Sequence, residues 1–495
     1  MLMNMLKKIS ERKAQLIVAL ATTELILLIL SIPFYKMNGD EAWCAEQAYF
    51  MSMKGYSTSN LFTGFDLQNV RIVVQHKLFI YLGAALFRLF HFGLFVFRLI
   101  PICSFILLLV FFLRYQKIFL PDTGKLQLFL SIAVLLSIRE FFYLAKVARP
   151  EMLVTVLGFL SYYFLVKYSG TEEYWLAGAA GFFAGLAMLA HLNGSIFIAT
   201  GLTILLIRKK PLSCLLFCAM VLIAFLPYLI DVYFHYQIFL IQISNPYIIA
   251  KTHFTFLKPF KNLLREHERL FRKPEIIIPS SLFFFNLIVN RKKLFADETK
   301  SLAVYTLLLM VFLGLIVQDK TVKYSTYLMP FWAILITRSI LTLKTDNKVV
   351  ALTNAVLLAL LFTTGLYWQV KSVFEKEDYP PLSKEIASDI PPHSVCVAPM
   401  NFIFNEIGNY KILSDYLVRY EGFRSISIES MSRFCKENHC RYVIFDKFGD
   451  LWDHISDYYR TAKLMERFKV VAANGRFTIL KYIGAPESGL ARAGR

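Results

Sequence analysis

The sequence predicts a mainly α, polytopic membrane protein of about 11 (11–13) transmembrane helices with extracytoplasmic loop helices, plus a small C-terminal soluble α/β domain. Hydrophobic residues make up 57% of the 495 residues, above the roughly 45–50% of soluble domains. Apolar runs of about 16–22 residues, long enough for a membrane helix, recur through the first three quarters of the chain. The composition then changes after residue 372, where the apolar segments become strand-sized.

Candidate spans are the apolar runs that could each cross a bilayer as one helix. They lie at 14–34, 97–113, 126–146, 151–168, 175–190, 195–207, 212–230, 275–290, 301–317, 324–343 and 349–370. The first is preceded by Lys7, Lys8, Arg12 and Lys13 but lacks a small-residue cleavage site. We therefore expect an uncleaved helix and no removed signal peptide.

The short connections between spans predict the orientation. With a cytoplasmic N-terminus, the inside segments 1–13, 114–125, 167–174, 208–211, 291–300 and 338–348 hold 18 Lys and Arg residues. The short outside connections hold few basic residues, as the positive-inside rule requires. The odd number of spans then places the C-terminal domain outside. The expected location is a bacterial inner (plasma) membrane.

Two long connections are predicted to lie outside, at 35–96 and 231–274. The stretch at 77–95, "KLFIYLGAALFRLFHFGLF", is read as a surface helix, because counting it as a span would reverse the charge bias of every later loop. The stretch at 256–273 places apolar residues at helical spacing against a basic face. This pattern predicts an amphipathic helix at the membrane interface.

The domain boundaries follow from these changes in composition: a membrane domain at 1–371, an α/β domain at 380–484 and a disordered tail at 485–495. Asn474–Gly475 separates two strand-like runs, which predicts a hairpin. Cys435 and Cys440 are candidates for a disulfide in an oxidising compartment. The alternative, a zinc site with His439, lacks a fourth ligand.

The formal charge of +19 would suggest a nucleic-acid partner in a soluble protein. Here the basic residues are read as topological anchors that also attract anionic lipid or phosphate, so membrane lipids and no nucleic acid are the expected partners.

Unusual polar residues converge on the outer side of this predicted topology. They are Asp40, Glu41, His76, Lys77, Arg149, Glu151, His191, Asn193, Lys323 and Tyr327. Singly, each has a bland explanation, such as a solvated loop carboxylate or an interfacial cation. Together, the cations suit a phosphate, and a carboxylate suits deprotonation of a hydroxyl nucleophile.

Several short motifs occur in the order seen in one superfamily: "GDEAW", "HKLFIYL", "FRLIPICSF", "ARPEML", "AGLAMLAHLNG" and "KYSTYLMP". In this the chain resembles the GT-C glycosyltransferases over roughly residues 14–345. The nearest groups are the bacterial relatives of protein O-mannosyltransferases and the lipid A aminoarabinose transferase. The "KPPL"-like stretch of the family stands as "HKLF" here, and its "RPD" as "RPE".

The resemblance implies that Asp40 is the catalytic carboxylate and that Lys77 binds the donor phosphate. It also implies a polyprenyl-phosphate sugar as donor, with a lipid, glycan or protein hydroxyl as acceptor. Arg149 would stabilise the leaving phosphate, and Glu41 and Glu151 would orient groups or hold the cations. No cofactor is expected; a divalent cation is not indicated, and no phosphate-loop motif for a nucleotide is present.

Two other functions stay open at this point. A transporter or lipid-linked-sugar flippase would use the same charges as a translocation path, with Glu24 in the first span as a midplane charge. A non-catalytic envelope assembly protein would bind its partners through the outer domain.

Overall fold

The computed structural model describes most of the chain, and the helices occupy the greater part of it. The described residues are 2–33, 36–74, 76–120, 123–244, 257–295, 299–341, 347–374, 379–417, 428–447 and 467–484. The predicted tail at 485–495 lies outside them.

Six helices are long and apolar enough to cross a bilayer. They are α1 (Leu2–Ser31, apolar from Ala14), α4 (Leu94–Phe119), α7 (Pro150–Thr171), α10 (Pro211–Phe234), α16 (Thr299–Ile316) and α18 (Lys348–Phe374). Shorter apolar helices lie between them: α5 (Lys125–Ser137), α8 (Tyr174–Ala190), α9 (Ser195–Ile207), α14 (Pro274–Val289) and α17 (Met329–Leu341). The mainly helical class is confirmed, whereas the count of eleven spans stays a prediction.

The third predicted span, 126–146, is not one helix. It breaks at Ile138, whose φ of −76° and ψ of 109° are extended, and continues as the short helix α6 (Arg139–Leu144). The break leaves the last carbonyls of α5 without partners inside that helix. Helices α7, α10 and α14 each have Pro as their first residue, where its missing N–H costs nothing.

The first long loop contains two helices, as predicted for its second half. Helix α2 (Gly39–Lys54) begins with a capping box on Asn38 and ends at Gly55, whose φ of 81° suits a glycine C-cap. Helix α3 (Lys77–Phe90) packs against α2. Gly83 makes this possible, because a Cβ there would lie 2.9 Å from the Ala48 Cβ of α2; it would also lie 2.5 Å from the Phe97 ring of α4.

The second long loop differs from the prediction. Instead of one amphipathic helix, it has two short helices, α12 (Lys258–Leu264) and α13 (Glu266–Phe271), with Arg265 between them. An additional helix, α11 (Tyr236–Ile243), follows α10, and α15 (Arg291–Leu294) follows α14. Residue 256, the start of the predicted helix, lies outside the described residues.

The C-terminal region forms a five-stranded sheet in the order β2-β1-β3-β5-β4. The strands are β1 (Val395–Ala398), β2 (Lys411–Ser414), β3 (Tyr442–Asp446), β4 (Phe468–Ala473) and β5 (Phe477–Tyr482). Strand β1 is parallel to β2 and β3, while β5 is antiparallel to β3 and β4. Its helices are α19 (Tyr379–Ala387), α20 (Ile403–Glu406) and α21 (Ile428–Glu437).

The predicted hairpin at Asn474–Gly475 is confirmed by the β4–β5 pairing, with the Asn474 amide donating to the Phe477 carbonyl at 2.9 Å. The sequence reading missed β2, because "KILS" is only four residues long. The proposed disulfide is absent: Cys435 and Cys440 are separate, buried thiols. The Cys440 backbone amide instead donates to the Cys435 carbonyl at 2.8 Å, at the end of α21.

The sheet rests on the first long loop. Phe62 and Phe65 from that loop pack against the sheet core, and the Ser414 amide donates to the Leu61 carbonyl at 2.9 Å. A short 3-10 helix, Met400–Phe402, lies over the start of α2, since a Cβ on Gly39 would lie 2.6 Å from Met400 Cε. The sheet and the first loop therefore share one side of the molecule.

Candidate active site

Asp40 lies in the first turn of α2, where the Asn38 side chain caps the helix and accepts from the Asp40 amide at 3.0 Å. Its carboxylate pairs with the guanidinium of Arg149, and the Lys323 Nζ lies 3.9 Å away. The Asp40 side chain is 49% exposed. A half-exposed carboxylate thus lies between two cations that come from distant parts of the chain.

Arg149 caps the N-terminus of α7 and also pairs with Glu151, with 2.7 Å between Nη2 and Oε1. Burial disfavours the charged guanidinium, but the neighbouring Glu151 carboxylate more than offsets this and raises the pKa of Arg149 above its ordinary value. Glu151 itself is fully buried. Arg149 is therefore a permanently charged group held between one buried and one accessible carboxylate.

Lys323 belongs to the 3-10 helix Val322–Tyr327, which precedes α17. Burial, followed by repulsion from Arg149, lowers the pKa of Lys323 below its ordinary value. Two nearby carboxylates, Glu151 and Glu140, oppose this shift. Lys323 is the more weakly held of the two cations, because its side chain makes only the long contact to Asp40 among the ion pairs of the described residues.

Two histidines extend the cluster. The rings of His76 and His191 stack with their centroids 4.5 Å apart, and Tyr324 meets His191 edge-on at 5.6 Å. Burial lowers the pKa of His76 to about 4 and that of His191 to about 3, although Glu151 acts in the opposite direction on both. Both imidazoles are therefore neutral near pH 7.

Two more of the predicted residues, Asn193 and Tyr327, lie next to these side chains. His191 Nδ1 accepts from the Asn193 amide at 3.0 Å, so Asn193 contributes its backbone to the connection between α8 and α9. Tyr327 is fully buried, with its ring 6.0 Å from that of Tyr324. Its hydroxyl has no hydrogen-bond partner within the described part of the chain.

A cavity of about 150 Å3 lies beside the histidine pair. It is lined by His76, His191, Tyr228 and four apolar side chains, Val74, Met188, Leu189 and Leu192. Its wall is mostly apolar, so it suits hydrocarbon better than a charged group.

Glu41 is not part of the exposed site. It is completely buried and makes a bidentate pair with Arg98, with both N–O distances at 2.8 Å. It also accepts from the amides of Ala148 at 2.8 Å and Asn38 at 2.9 Å. Glu41 therefore holds a cation, Arg98, as one of its two expected roles required, and a direct contact with substrate stays a prediction.

Lys77 also lies apart from the Asp40 cluster. Its ammonium group pairs with Asp231 of α10 and donates to the Ile72 carbonyl at 2.9 Å, and Arg71 binds the same carboxylate at 2.8 Å. This arrangement anchors the first long loop to α10. The contact from Lys77 to a donor phosphate stays a prediction; in the structure Lys77 and Arg71 share the single Asp231 carboxylate.

The sequence reading missed several charged partners. Arg98 and Asp231 lie within or at the end of apolar runs, and a single sequence does not say which carboxylate or cation each one meets. Arg269 is fully buried, with its Nη2 2.8 Å from the Asp319 carbonyl and its guanidinium 6.0 Å from the Tyr324 ring centroid. Tyr324 could have been predicted as a site residue, because it directly follows Lys323 in "KYSTY".

The three carboxylates of this region differ in their exposure to solvent. Asp40 is half exposed, whereas Glu41 and Glu151 are fully buried and paired with arginines. Only Asp40 can meet an incoming molecule, with Arg149 and Lys323 beside it to bind an anion. In the described ranges, no group of three or more His, Cys, Asp or Glu side chains could hold a metal ion.

The chain was compared with known proteins. No protein-family model and no curated protein matches it. Among solved structures, ArnT from Cupriavidus metallidurans in the apo state is similar, with a TM-score of 0.59 at 12% identity over 96% of this chain and 99% of that chain. The same protein bound to undecaprenyl phosphate gives a TM-score of 0.58 at 12% identity over the same shares.

An oligosaccharyltransferase from Archaeoglobus fulgidus, tethered to an acceptor peptide with an NVT sequon, gives a TM-score of 0.51 at 9% identity. It covers 91% of this chain and 72% of that chain. At these identities the likeness is one of fold. The resemblance to GT-C proteins that the sequence motifs suggested is confirmed at that level.

Proposed function

We propose that this protein is an integral membrane glycosyltransferase that moves a sugar from a polyprenyl-phosphate donor to a hydroxyl group of a lipid, glycan or protein acceptor, on the extracytoplasmic face. The observation that carries the proposal is the half-exposed Asp40 carboxylate between Arg149 and Lys323. A base and two cations side by side are the groups that a phosphate-leaving displacement needs.

In the proposed reaction, the donor phosphate binds Arg149 and Lys323 and competes with Asp40 for them. The freed Asp40 carboxylate then takes the proton of the acceptor hydroxyl. The acceptor oxygen forms a bond to the anomeric carbon as the bond from that carbon to the phosphate oxygen breaks. Polyprenyl phosphate leaves with its charge stabilised by the two cations. Glu151 keeps Arg149 in place throughout.

Three features support a lipid-linked donor. The chain has the fold of ArnT, one structure of which contains undecaprenyl phosphate. The chain has six helices that are long and apolar enough to cross a bilayer among its described residues. The mostly apolar cavity at the histidine pair lies near the cations, as a site for an amphiphilic phosphate requires. These contacts do not specify which sugar is transferred or which acceptor receives it.

The transporter or flippase alternative rests on a different observation, the burial of Glu24 within α1. The two functions differ in what they do to the donor. A flippase leaves the bond between sugar and phosphate intact, whereas the proposed enzyme breaks it. A non-catalytic assembly protein would likewise leave this bond intact.

The test is sugar transfer in nanodiscs with Asp40→Asn. An amide cannot accept the proton at neutral pH but has the size of the original side chain. We expect turnover to fall by about 10²–10⁴-fold. Donor affinity, measured separately, should not fall, because the amide no longer competes with the phosphate for Arg149 and Lys323. Glu172→Gln, at the far end of α7 where the carboxylate is exposed and pairs with Lys210, is the matched control and keeps full turnover.

Near-full turnover of Asp40→Asn would show that Asp40 is not the base. If the wild-type protein moves the intact donor between leaflets and yields no free polyprenyl phosphate, the enzyme proposal fails and the flippase is favoured.

A further inference from the structure

The carboxyl group of Glu24 is buried between three apolar helices, far from the Asp40 cluster. Glu24 on α1 is 0% exposed, and the side chains nearest to it, Ser137 of α5 and Gln369 of α18, are also buried. Ser137 Oγ donates to Glu24 Oε1, and Gln369 Nε2 reaches the same oxygen at 3.4 Å. An ionisable group at such depth is expensive and therefore marks a functional site by default.

Within the described part of the chain, no basic side chain pairs with Glu24. Among the ion pairs of the described residues, none includes it. The buried Lys146 donates instead to the hydroxyls of Ser31, at 2.8 Å, and Ser372, at 3.0 Å. Ser31 lies seven residues beyond Glu24 on α1, which places it about 10 Å further along the helix. Lys146 thus donates to two hydroxyl groups and forms no ion pair with Glu24 among the described residues.

Two oxygen atoms at this place lack hydrogen-bond partners within the described part of the chain. They are Glu24 Oε2 and Gln369 Oε1. The Gln369 amide cannot simply turn to improve this, because its Nε2 donates to the Leu136 carbonyl at 2.9 Å. Buried oxygens without a donor are costly, and two of them in one cluster point to a missing electropositive partner.

The backbone around Glu24 is also suited to a cation. Helix α5 ends at Ser137 and the chain is extended at Ile138, so the terminal carbonyls of α5 lie at the cluster with the negative end of the helix dipole. Helix α18 approaches closely at Gly365, where a Cβ would lie 2.7 Å from Ser137 Cα. Broken helices that offer carbonyl oxygens beside a carboxylate are a recurring way to bind Na⁺ within membranes.

We infer that Glu24, Ser137 and Gln369 form a binding site for a monovalent cation of the Na⁺ class between α1, α5 and α18. The ligands are all oxygen, as a hard cation prefers. A single carboxylate matches one positive charge, so a divalent ion would leave excess charge in the apolar interior. The cation joins three helices at the break that leads into α6. This inference does not depend on the proposed transferase activity.

The experiment measures binding and stability in the detergent-purified full chain. Wild-type protein is expected to bind about one radiolabelled Na⁺ per chain in equilibrium dialysis, as a single carboxylate allows. Its apparent Tm is expected to rise by a few degrees, with saturation, when choline chloride is replaced by NaCl at equal ionic strength, because a ligand of the folded state stabilises it. Glu24→Gln should lose both responses, while Glu172→Gln keeps them.

If Glu24→Gln does not fold, Ser137→Ala replaces it. This variant removes one ligand and leaves the charge, so a several-fold higher Na⁺ concentration should be needed for half-saturation. Equal melting of the wild-type protein in NaCl, KCl and choline chloride, with no bound Na⁺, would overturn the inference and show that a proton alone neutralises Glu24. The same Na⁺ response in Glu24→Gln would also overturn it, by placing the ion elsewhere.

Discussion

Replacing Glu41 with Gln is expected to destabilise the protein far more than replacing the adjacent Asp40 with Asn. Glu41 is fully buried and its carboxylate pairs with Arg98 through both oxygens. Arg98 in turn donates to the Ile32 carbonyl at 3.3 Å. The pair therefore joins the end of α1, the start of α2 and the middle of the chain around Ala148.

The size of the effect follows from burial. Removing one partner of a buried ion pair leaves an uncompensated charge and costs about 3–5 kcal/mol. Asp40 is 49% exposed, so its pair with Arg149 is screened by water and contributes at most about 1 kcal/mol. Arg149 also keeps Glu151 as a partner when Asp40 is neutralised. The two neighbouring carboxylates should thus differ by several kcal/mol.

The assay is thermal unfolding in detergent, followed with a fluorophore that reacts with thiols as they become exposed. Cys44, buried on α2 one turn after Glu41, reports on the relevant region. Glu41→Gln should lower the apparent Tm by about 5–10 °C, whereas Asp40→Asn and the surface control Glu172→Gln should stay within about 2 °C of the wild type. An unchanged Tm for Glu41→Gln would refute the reasoning that this pair holds the site together.

Three further predictions follow from the site and the topology. Lys323→Gln should weaken donor binding roughly tenfold, the value of one charge-assisted contact, without a loss of Tm; unchanged donor affinity would exclude this lysine from the phosphate site. Burial lowers the pKa values of His76 and His191 to about 4 and about 3. Below pH 6.5 the unfolded state therefore binds more protons than the folded state, and the free energy of unfolding should fall as the pH falls towards 4. His191→Gln should flatten that decline between pH 7 and pH 5 in thermal unfolding, and an identical decline would show that other groups cause it. In intact cells, a thiol reagent that cannot cross membranes should label Gly408→Cys, while Lys292→Cys should react only after permeabilisation; the reverse pattern would invert the predicted orientation.

Much of the helical fold could be predicted from the sequence, because apolar runs long enough to cross a bilayer are visible directly in it. The break at Ile138 could not, since "LLSIREFF" carries neither Gly nor Pro, and the close approach of Gly365 on α18 to the neighbouring Ser137 is visible only in the structure. Strand β2 was missed for a similar reason: four residues give too short a pattern, and only its pairing with β1 identifies it.

The candidate site was predictable in part. Asp40, Arg149, Glu151, His191 and Lys323 come together as the convergence of polar residues suggested. The sequence could not say that Glu41 faces inward, because adjacent residues in the first turn of a helix point about 100° apart and either one could have faced the site. Nor could it show that Lys77 meets Asp231, which lies 154 residues later in the chain.

The C-terminal sheet cannot be exchanged between proteins as an independent module. Its core includes Phe62 and Phe65 of the first loop, and its Met400 touches the residue before Asp40. In a chimera that carries the sheet of another protein, those two aromatic rings would lose the side chains they pack against, and the start of α2 would shift. Sequence changes in the sheet must therefore be matched by changes in the first loop, so that the two segments are inherited together with Asp40.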